Sequence, residues 1–133
     1  MQIHTRTALL MTAAAIMTAP VVAAATPAFA SGGGGGGVSA SGACTNGGHF
    51  KLKAKHDDGK IELEYQVDSN RAGQVWAVRI KDNGVVVVSR NATTGGASGS
   101  FTIEKRIANR AGADHIHARA TFRDRTCGGS VTL

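Results

Sequence analysis

The feature that most constrains this fold is a pair of segments that alternate apolar and charged residues around an Asp-Gly turn. The stretch FKLKAK at 50–55 places apolar residues on one side and lysines on the other, and KIELEYQV at 60–67 alternates in the same way. Period-two alternation is typical of β-strands with one buried face. Asp58-Gly59 between them favours a two-residue type I′ turn. We therefore predict an antiparallel hairpin with Leu52 opposite Tyr65.

The register of this hairpin also predicts what its row of lysines does. A two-residue turn places Lys55 opposite Glu62 and Lys53 opposite Glu64. Opposite charges facing each other across an antiparallel pair contribute roughly 0.2–1 kcal/mol each. We interpret this row as a salt-paired, solvated face. Since the chain also lacks surface aromatics interleaved with basic residues for base stacking, we predict no nucleic-acid partner.

A second hairpin is predicted around Asn83-Gly84, because Asn-Gly between two strand-like segments is a strong hairpin signal. QVWAVRIK precedes the turn and VVVVSR follows it. The inward residues expected before the turn are Trp76, Val78 and Ile80. The four valines at 85–88 do not alternate, so at least two of them should lie on the outer face.

The rest of the chain continues the pattern of short strands. SFTIEKRI at 100–107 and HIHARATF at 115–122 each alternate, and GGSVTL at 128–133 is a short final strand. The inward residues expected there are Phe101, Ile103, Ile116, Ala118, Ala120 and Phe122. Strands separated by turn residues at this spacing predict an all-β fold, a single antiparallel β-sandwich of about seven strands.

The amino-terminal region predicts export. Residues 1–7 are short and carry Arg6, an Ala-rich apolar run follows, and the run ends in TPAFA. This order is that of a secretory signal peptide cleaved after Ala30; a transmembrane helix is the alternative, disfavoured by Pro20 and by the lack of a positive cluster after the run. We predict a signal peptide at 1–30, a flexible Gly/Ser-rich linker at 31–43 and a β-sandwich domain at 44–133, with no transmembrane segment after signal removal.

Two cysteines, Cys44 and Cys127, bracket most of the patterned sequence. In an exported protein a disulfide is the expected state of such a pair, and neither cysteine belongs to a C-x-x-C motif. Closing a loop of this size stabilises a fold by roughly 3–5 kcal/mol. The formal net charge of +6, which falls to +5 when Arg6 leaves with the signal peptide, is compatible with acidic partners but does not choose among them.

Two resemblances follow from these motifs. AGADHIHARA at 111–120 resembles the E–F corner and F strand of immunoglobulin-like domains, which implies an immunoglobulin-like sandwich. The layout of residues 44–133, with KLKAK, DDGKIE, VDSNR and RIANRAG between paired terminal cysteines, resembles small secreted proteins of high-GC Gram-positive bacteria. That group has no assigned activity, so the resemblance implies fold and an extracellular location, with association to the cell wall left open.

The spacing of His115 and His117 raises the question of a metal site. The two histidines flank Ile116, so both should point outward from one strand, and H-x-H pairs on strands do bind zinc. A third ligand is needed, and the candidates are His49, His56 and Asp114. His49 and His56 belong to the first hairpin, which should lie on the other sheet. We favour two exposed strand residues and no cofactor, with a small metal-binding protein or metal-dependent enzyme as the alternative.

Together these patterns predict a secreted, non-enzymatic binding or surface-associated module of unknown ligand. No pair of carboxylates across a cleft and no Ser-His arrangement on a special turn indicates catalysis. The expected partner is an anionic cell-wall polymer or another secreted protein, since exposed valines beside basic groups suit a partly apolar, acidic surface. The predicted binding face comprises Val75, Ala77, Arg79, Lys81, Val86, Val88, His115, His117 and Arg119.

Overall fold

The computed structural model describes residues 37–133, which form eight antiparallel strands in two four-stranded sheets. The strands are β1 (Gly37–Ala43), β2 (His49–Asp57), β3 (Lys60–Asp68), β4 (Val75–Asp82), β5 (Val85–Thr93), β6 (Ser100–Ala108), β7 (His115–Phe122) and β8 (Arg125–Thr132). Sheet A has the order β1-β2-β3-β6 and sheet B the order β5-β4-β7-β8. The inward faces of both sheets share one apolar core, which confirms the predicted all-β sandwich with one strand more than expected.

The additional strand, β1, corrects the predicted linker. Residues 37–43 pair along their whole length with β2, from Gly37 opposite Lys55 to Ala43 opposite His49. Small residues carry no periodic signal, yet their backbone groups can complete the edge of β2, and Val38 and Ala40 pack partly buried against the core. The ordered domain therefore begins before residue 44. The predicted signal peptide at 1–30 and the start of the linker at 31–36 lie outside the described residues.

Both predicted hairpins have the expected turn geometry, and the first has the expected register along its whole length. Lys55 pairs with Glu62, Lys53 with Glu64 and Leu52 with Tyr65. The central residues of both turns have positive φ, 47° and 71° at 58 and 59, and 48° and 81° at 83 and 84. Positive φ at both positions is what a type I′ turn requires, and Asp-Gly and Asn-Gly tolerate it. Each turn therefore sets the pairing of the residues next to it.

A β-bulge in the second hairpin explains why the valine run does not alternate. Ile80 pairs with Val88, whereas Lys81 pairs with Val86, so Val87 is an extra residue on β5. An extra residue on one strand reverses the inward and outward phase beyond it. Val86 is consequently exposed, but Val88 is buried. The assignment of Val88 to the outer binding face is therefore wrong.

The predicted core residues lie inside the sandwich. Trp76, Ile80, Ile116, Ala118 and Ala120 have no exposed area, and Val78, Phe101 and Ile103 are also buried. Phe122 is partly buried, with its ring centroid 5.5 Å from that of Trp76. Aromatic pairs at such distances add to what burial alone contributes.

One disulfide and one buried hydrogen bond tie sheet A to sheet B. Cys44, just after β1, is bonded to Cys127 on β8, which confirms the predicted disulfide. The hydroxyl of Tyr65 on β3 donates to the carbonyl of Cys127 at 2.8 Å. Burial raises the pKa of the Tyr65 phenol, and a backbone hydrogen bond from Ala120 opposes the shift. Both links converge on β8, so this strand fixes the relative position of the two sheets.

The strand order fits the immunoglobulin-like arrangement. β5-β4-β7-β8 corresponds to the C′-C-F-G sheet of such sandwiches, and the buried Trp76 lies on β4, the position of strand C. β4 and β7 are the two central strands of sheet B, so their outward side chains lie in the middle of its outer face. Residues 37–133 include no helix of the length and apolarity needed to cross a membrane.

Candidate binding groove

The outer face of sheet B brings basic side chains together across its two central strands. Arg79 on β4 lies directly opposite Arg119 on β7, and Lys81 lies opposite His117. All four residues belong to the face that the sequence predicts. Like charges directly opposite each other in a sheet are destabilising. The fold therefore tolerates an electrostatic penalty at the centre of this face.

These residues line an open groove of about 460 Å³ on the outer side of β4, β5 and β7. Its basic residues are Arg79, Lys81, Arg90, His117 and Arg119. The other lining residues are small, polar or aliphatic, and no carboxylate of the described chain is among them. A concave, water-accessible surface with one sign of charge concentrates anions near it.

The outer face of sheet A, in contrast, carries charges of both signs. Lys53 Nζ lies 3.5 Å from Glu64 Oε1, and Lys55 Nζ lies 3.4 Å from Glu62 Oε2. These two ion pairs confirm the salt-paired face that the hairpin register predicted. Exposed pairs of this kind contribute little to stability, but they neutralise the lysines locally. The positive charge of the groove on sheet B is therefore a local feature and does not merely reflect the net charge of the protein.

His115 and His117 point outward, as predicted, and each contacts a hydroxyl on the neighbouring strand. His115 Nδ1 lies 3.0 Å from Thr132 Oγ1, and His117 Nδ1 lies 2.8 Å from Ser130 Oγ. Within residues 37–133 no three His, Cys, Asp or Glu side chains are placed to hold a metal ion. Of the other ligands considered, His49 and His56 lie on β2 of sheet A, and Asp114 is buried. The histidines thus extend the polar surface of the groove toward β8.

Three other residues of the predicted face lie in or beside the groove, and one groove residue, Arg90, was not predicted. Val75 and Val86 are exposed by 52% and 46% of their area, and Ala77 lines the groove itself. The sequence prediction did not include Arg90, which the bulge pairs with the buried Val78 at an inward position. β5 is an edge strand, where a long side chain can reach solvent from such a position. Alternation with Val86 and Val88, which places residue 90 on the predicted outer face, was the available signal.

The side chains that line the groove can attract anions and form hydrogen bonds with them. Arg side chains offer planar, bidentate donors for phosphate and carboxylate oxygens, and Lys and protonated His add point charges. Comparison of the chain with protein-family models, curated proteins and solved structures found no match.

Proposed function

We propose that this protein is a secreted, non-enzymatic binding module that holds an anionic polymer in the groove formed by β4, β5 and β7. The observation that carries the proposal is the direct pairing of Arg79 with Arg119 on a face without a lining carboxylate. Two arginines directly opposite each other lower the stability of the sheet but can bind anions, so anion binding is the best explanation for this pairing. Sheet A, where the lysines are paired with glutamates, shows that the same chain neutralises such charges elsewhere.

The layout of the cations favours a polymer over a small anion. Alternate residues on a strand are about 6.6–6.8 Å apart and neighbouring strands about 4.8 Å apart. Arg79 and Lys81 on β4, facing Arg119 and His117 on β7, therefore form a two-by-two array along the strands. A chain with repeated phosphate or carboxylate groups can contact several of these positions at once. Linked contacts of this kind raise the overall affinity without requiring a deep pocket.

The apolar border of the groove agrees with a cell-wall partner of mixed character. Val75 and Val86 lie at opposite ends of the β4–β5 pairing and are half exposed. Apolar contacts at the rim of a charged surface suit a polymer with carbon-rich repeats between its anionic groups. The same surface also fits an acidic patch on another secreted protein, which is the second partner considered.

The proposal is tested by co-sedimentation of the purified, disulfide-bonded protein with cell-wall sacculi at low and high salt. We expect binding at low salt that is lost at high salt, because exposed charge interactions are screened over about 10 Å at 0.1 M ionic strength. Sacculi stripped of their anionic polymers are the control and should not bind. Absence of binding at low salt, or equal binding to stripped sacculi, would contradict the proposal.

A further inference from the structure

Two aspartates are buried side by side at one end of sheet B. Asp82, the last residue of β4, pairs with Ile116, so Asp114, two residues before Ile116, lies diagonally across from it. Neither aspartate has any exposed area. The backbone around them is well bonded, because Asn83 N donates to His115 O at 3.0 Å and Asp114 exchanges two backbone bonds with Leu133. The carboxylate groups of Asp82 and Asp114 take no part in these hydrogen bonds.

All four carboxylate oxygens of the pair are buried, and no N–H or O–H group of residues 37–133 donates a hydrogen bond to any of them. Arg110 forms the one ion pair with Asp82 in this part of the chain, and its Nε lies 3.8 Å from Asp82 Oδ2, beyond hydrogen-bond distance. Burying one unpaired carboxylate is costly, and placing a second beside it adds repulsion. A full charge on both residues is therefore hard to reconcile with their environment.

We propose that Asp82 and Asp114 share one proton, so that one carboxyl group donates a hydrogen bond to the other and joins the end of β4 to the start of β7. The shared proton satisfies a donor and an acceptor among the four oxygens and leaves a single negative charge facing Arg110. As the pH rises the proton passes to solvent, and two buried carboxylates then repel each other. The pair is a pH-sensitive clamp between the two central strands of sheet B.

The electrostatic surroundings of Asp82 agree with this arrangement. Burial, followed by the charge of Asp114, raises the pKa of Asp82, while Arg110 and His115 oppose the shift and a hydrogen bond with Asp114 adds to it. An acid whose pKa is higher in the folded state contributes stability that is fully present below its unfolded pKa. That contribution is lost as the pH rises through the folded value. Mild acid should therefore stabilise this fold relative to alkaline solution.

The shared proton can be observed directly by carboxyl ¹³C NMR of the protein labelled at aspartate. We expect one carboxyl signal that titrates above the range of exposed aspartates and disappears in both D82N and D114N. Asp57, a partly exposed carboxylate whose Oδ2 lies 2.9 Å from Arg106 Nη2, provides the control, since D57N should leave that signal in place. Absence of any aspartate signal with a raised titration midpoint would overturn the proposal.

Urea denaturation between pH 5 and pH 9 tests the consequence for stability. We expect the wild-type midpoint to fall as the pH rises, and D82N to show a flatter profile with a higher midpoint at pH 9. D57N should keep the wild-type slope. A D82N profile that falls as steeply as the wild type would refute the clamp. Stabilisation by millimolar Ca²⁺ at pH 9 that EDTA reverses and D82N abolishes would also refute it, because the pair would then be a cation site.

Discussion

Replacing Arg119 with glutamate should change stability and binding in opposite directions. R119E places a carboxylate directly opposite Arg79, so a like-charged pair becomes an oppositely charged pair. Relief of repulsion and gain of attraction are each worth a few tenths of a kcal/mol at a solvated position, so we expect the free energy of unfolding to rise by about 0.5 kcal/mol. The same change reverses one charge inside the groove, so affinity for an anionic polymer should fall at least about tenfold.

Lys53 on sheet A provides a control with the same change in net charge. K53E breaks the ion pair with Glu64, whose atoms are 3.5 Å apart, and places two carboxylates opposite each other. The free energy of unfolding should therefore fall by about 1 kcal/mol. Because Lys53 lies on the other sheet, polymer affinity should change by no more than about twofold.

Both quantities can be measured on the same preparations. Trp76 is the single tryptophan and is fully buried, so its fluorescence reports unfolding in urea. Calorimetric titration with a soluble polyglycerol phosphate gives the affinity. Destabilisation by R119E would show that the Arg79–Arg119 pairing carries no electrostatic penalty. An equal loss of affinity in R119E and K53E would show that net charge, and not the groove, governs binding.

Three further measurements test the structural links and the metal alternative. The C44A/C127A double variant should lose about 4.5 kcal/mol of unfolding free energy on the chain-entropy model for a separation of 83 residues, and a loss below about 2 kcal/mol in urea denaturation would contradict that estimate. Because burial raises the pKa of Tyr65, the only tyrosine, its phenol contributes stability below about pH 10 that is lost above it. Phenolate absorbance should thus increase only together with unfolding, and reversible ionisation of the folded protein near pH 10 would disagree. The H115A/H117A double variant should bind zinc no more weakly than the wild type, and a tenfold loss would favour the metal site instead.

The first hairpin could be predicted residue by residue because a two-residue turn without a bulge leaves no freedom of register. Once Asp58-Gly59 is a type I′ turn, Lys55 must face Glu62, as the structure shows. The position of Val88 could not be predicted in this way, since a bulge shifts the phase by one residue and four consecutive valines carry no alternation to reveal it. β1 was missed for a related reason: backbone pairing, not side-chain pattern, holds its small residues in place.

The burial of Asp82 and Asp114 follows from the alternation of the strands around them. Asp82 continues the inward phase of Val78 and Ile80 on β4, and Asp114 precedes the inward Ile116 by two residues. Alternation therefore places both carboxylates inside. What the sequence does not give is their proximity, which depends on the pairing of Asp82 with Ile116 between strands far apart in the chain.

The measurement that tests the proposed binding site most directly is an NMR titration of the ¹⁵N-labelled protein with soluble polyglycerol phosphate at low salt. Binding in the groove predicts amide shifts concentrated on β4, β5 and β7, around Arg79, Arg90 and Arg119, that vanish at high salt. The lysines of β2 should remain unshifted. Shifts centred on sheet A, or no shifts at all at low salt, would contradict binding of an anionic polymer by this groove.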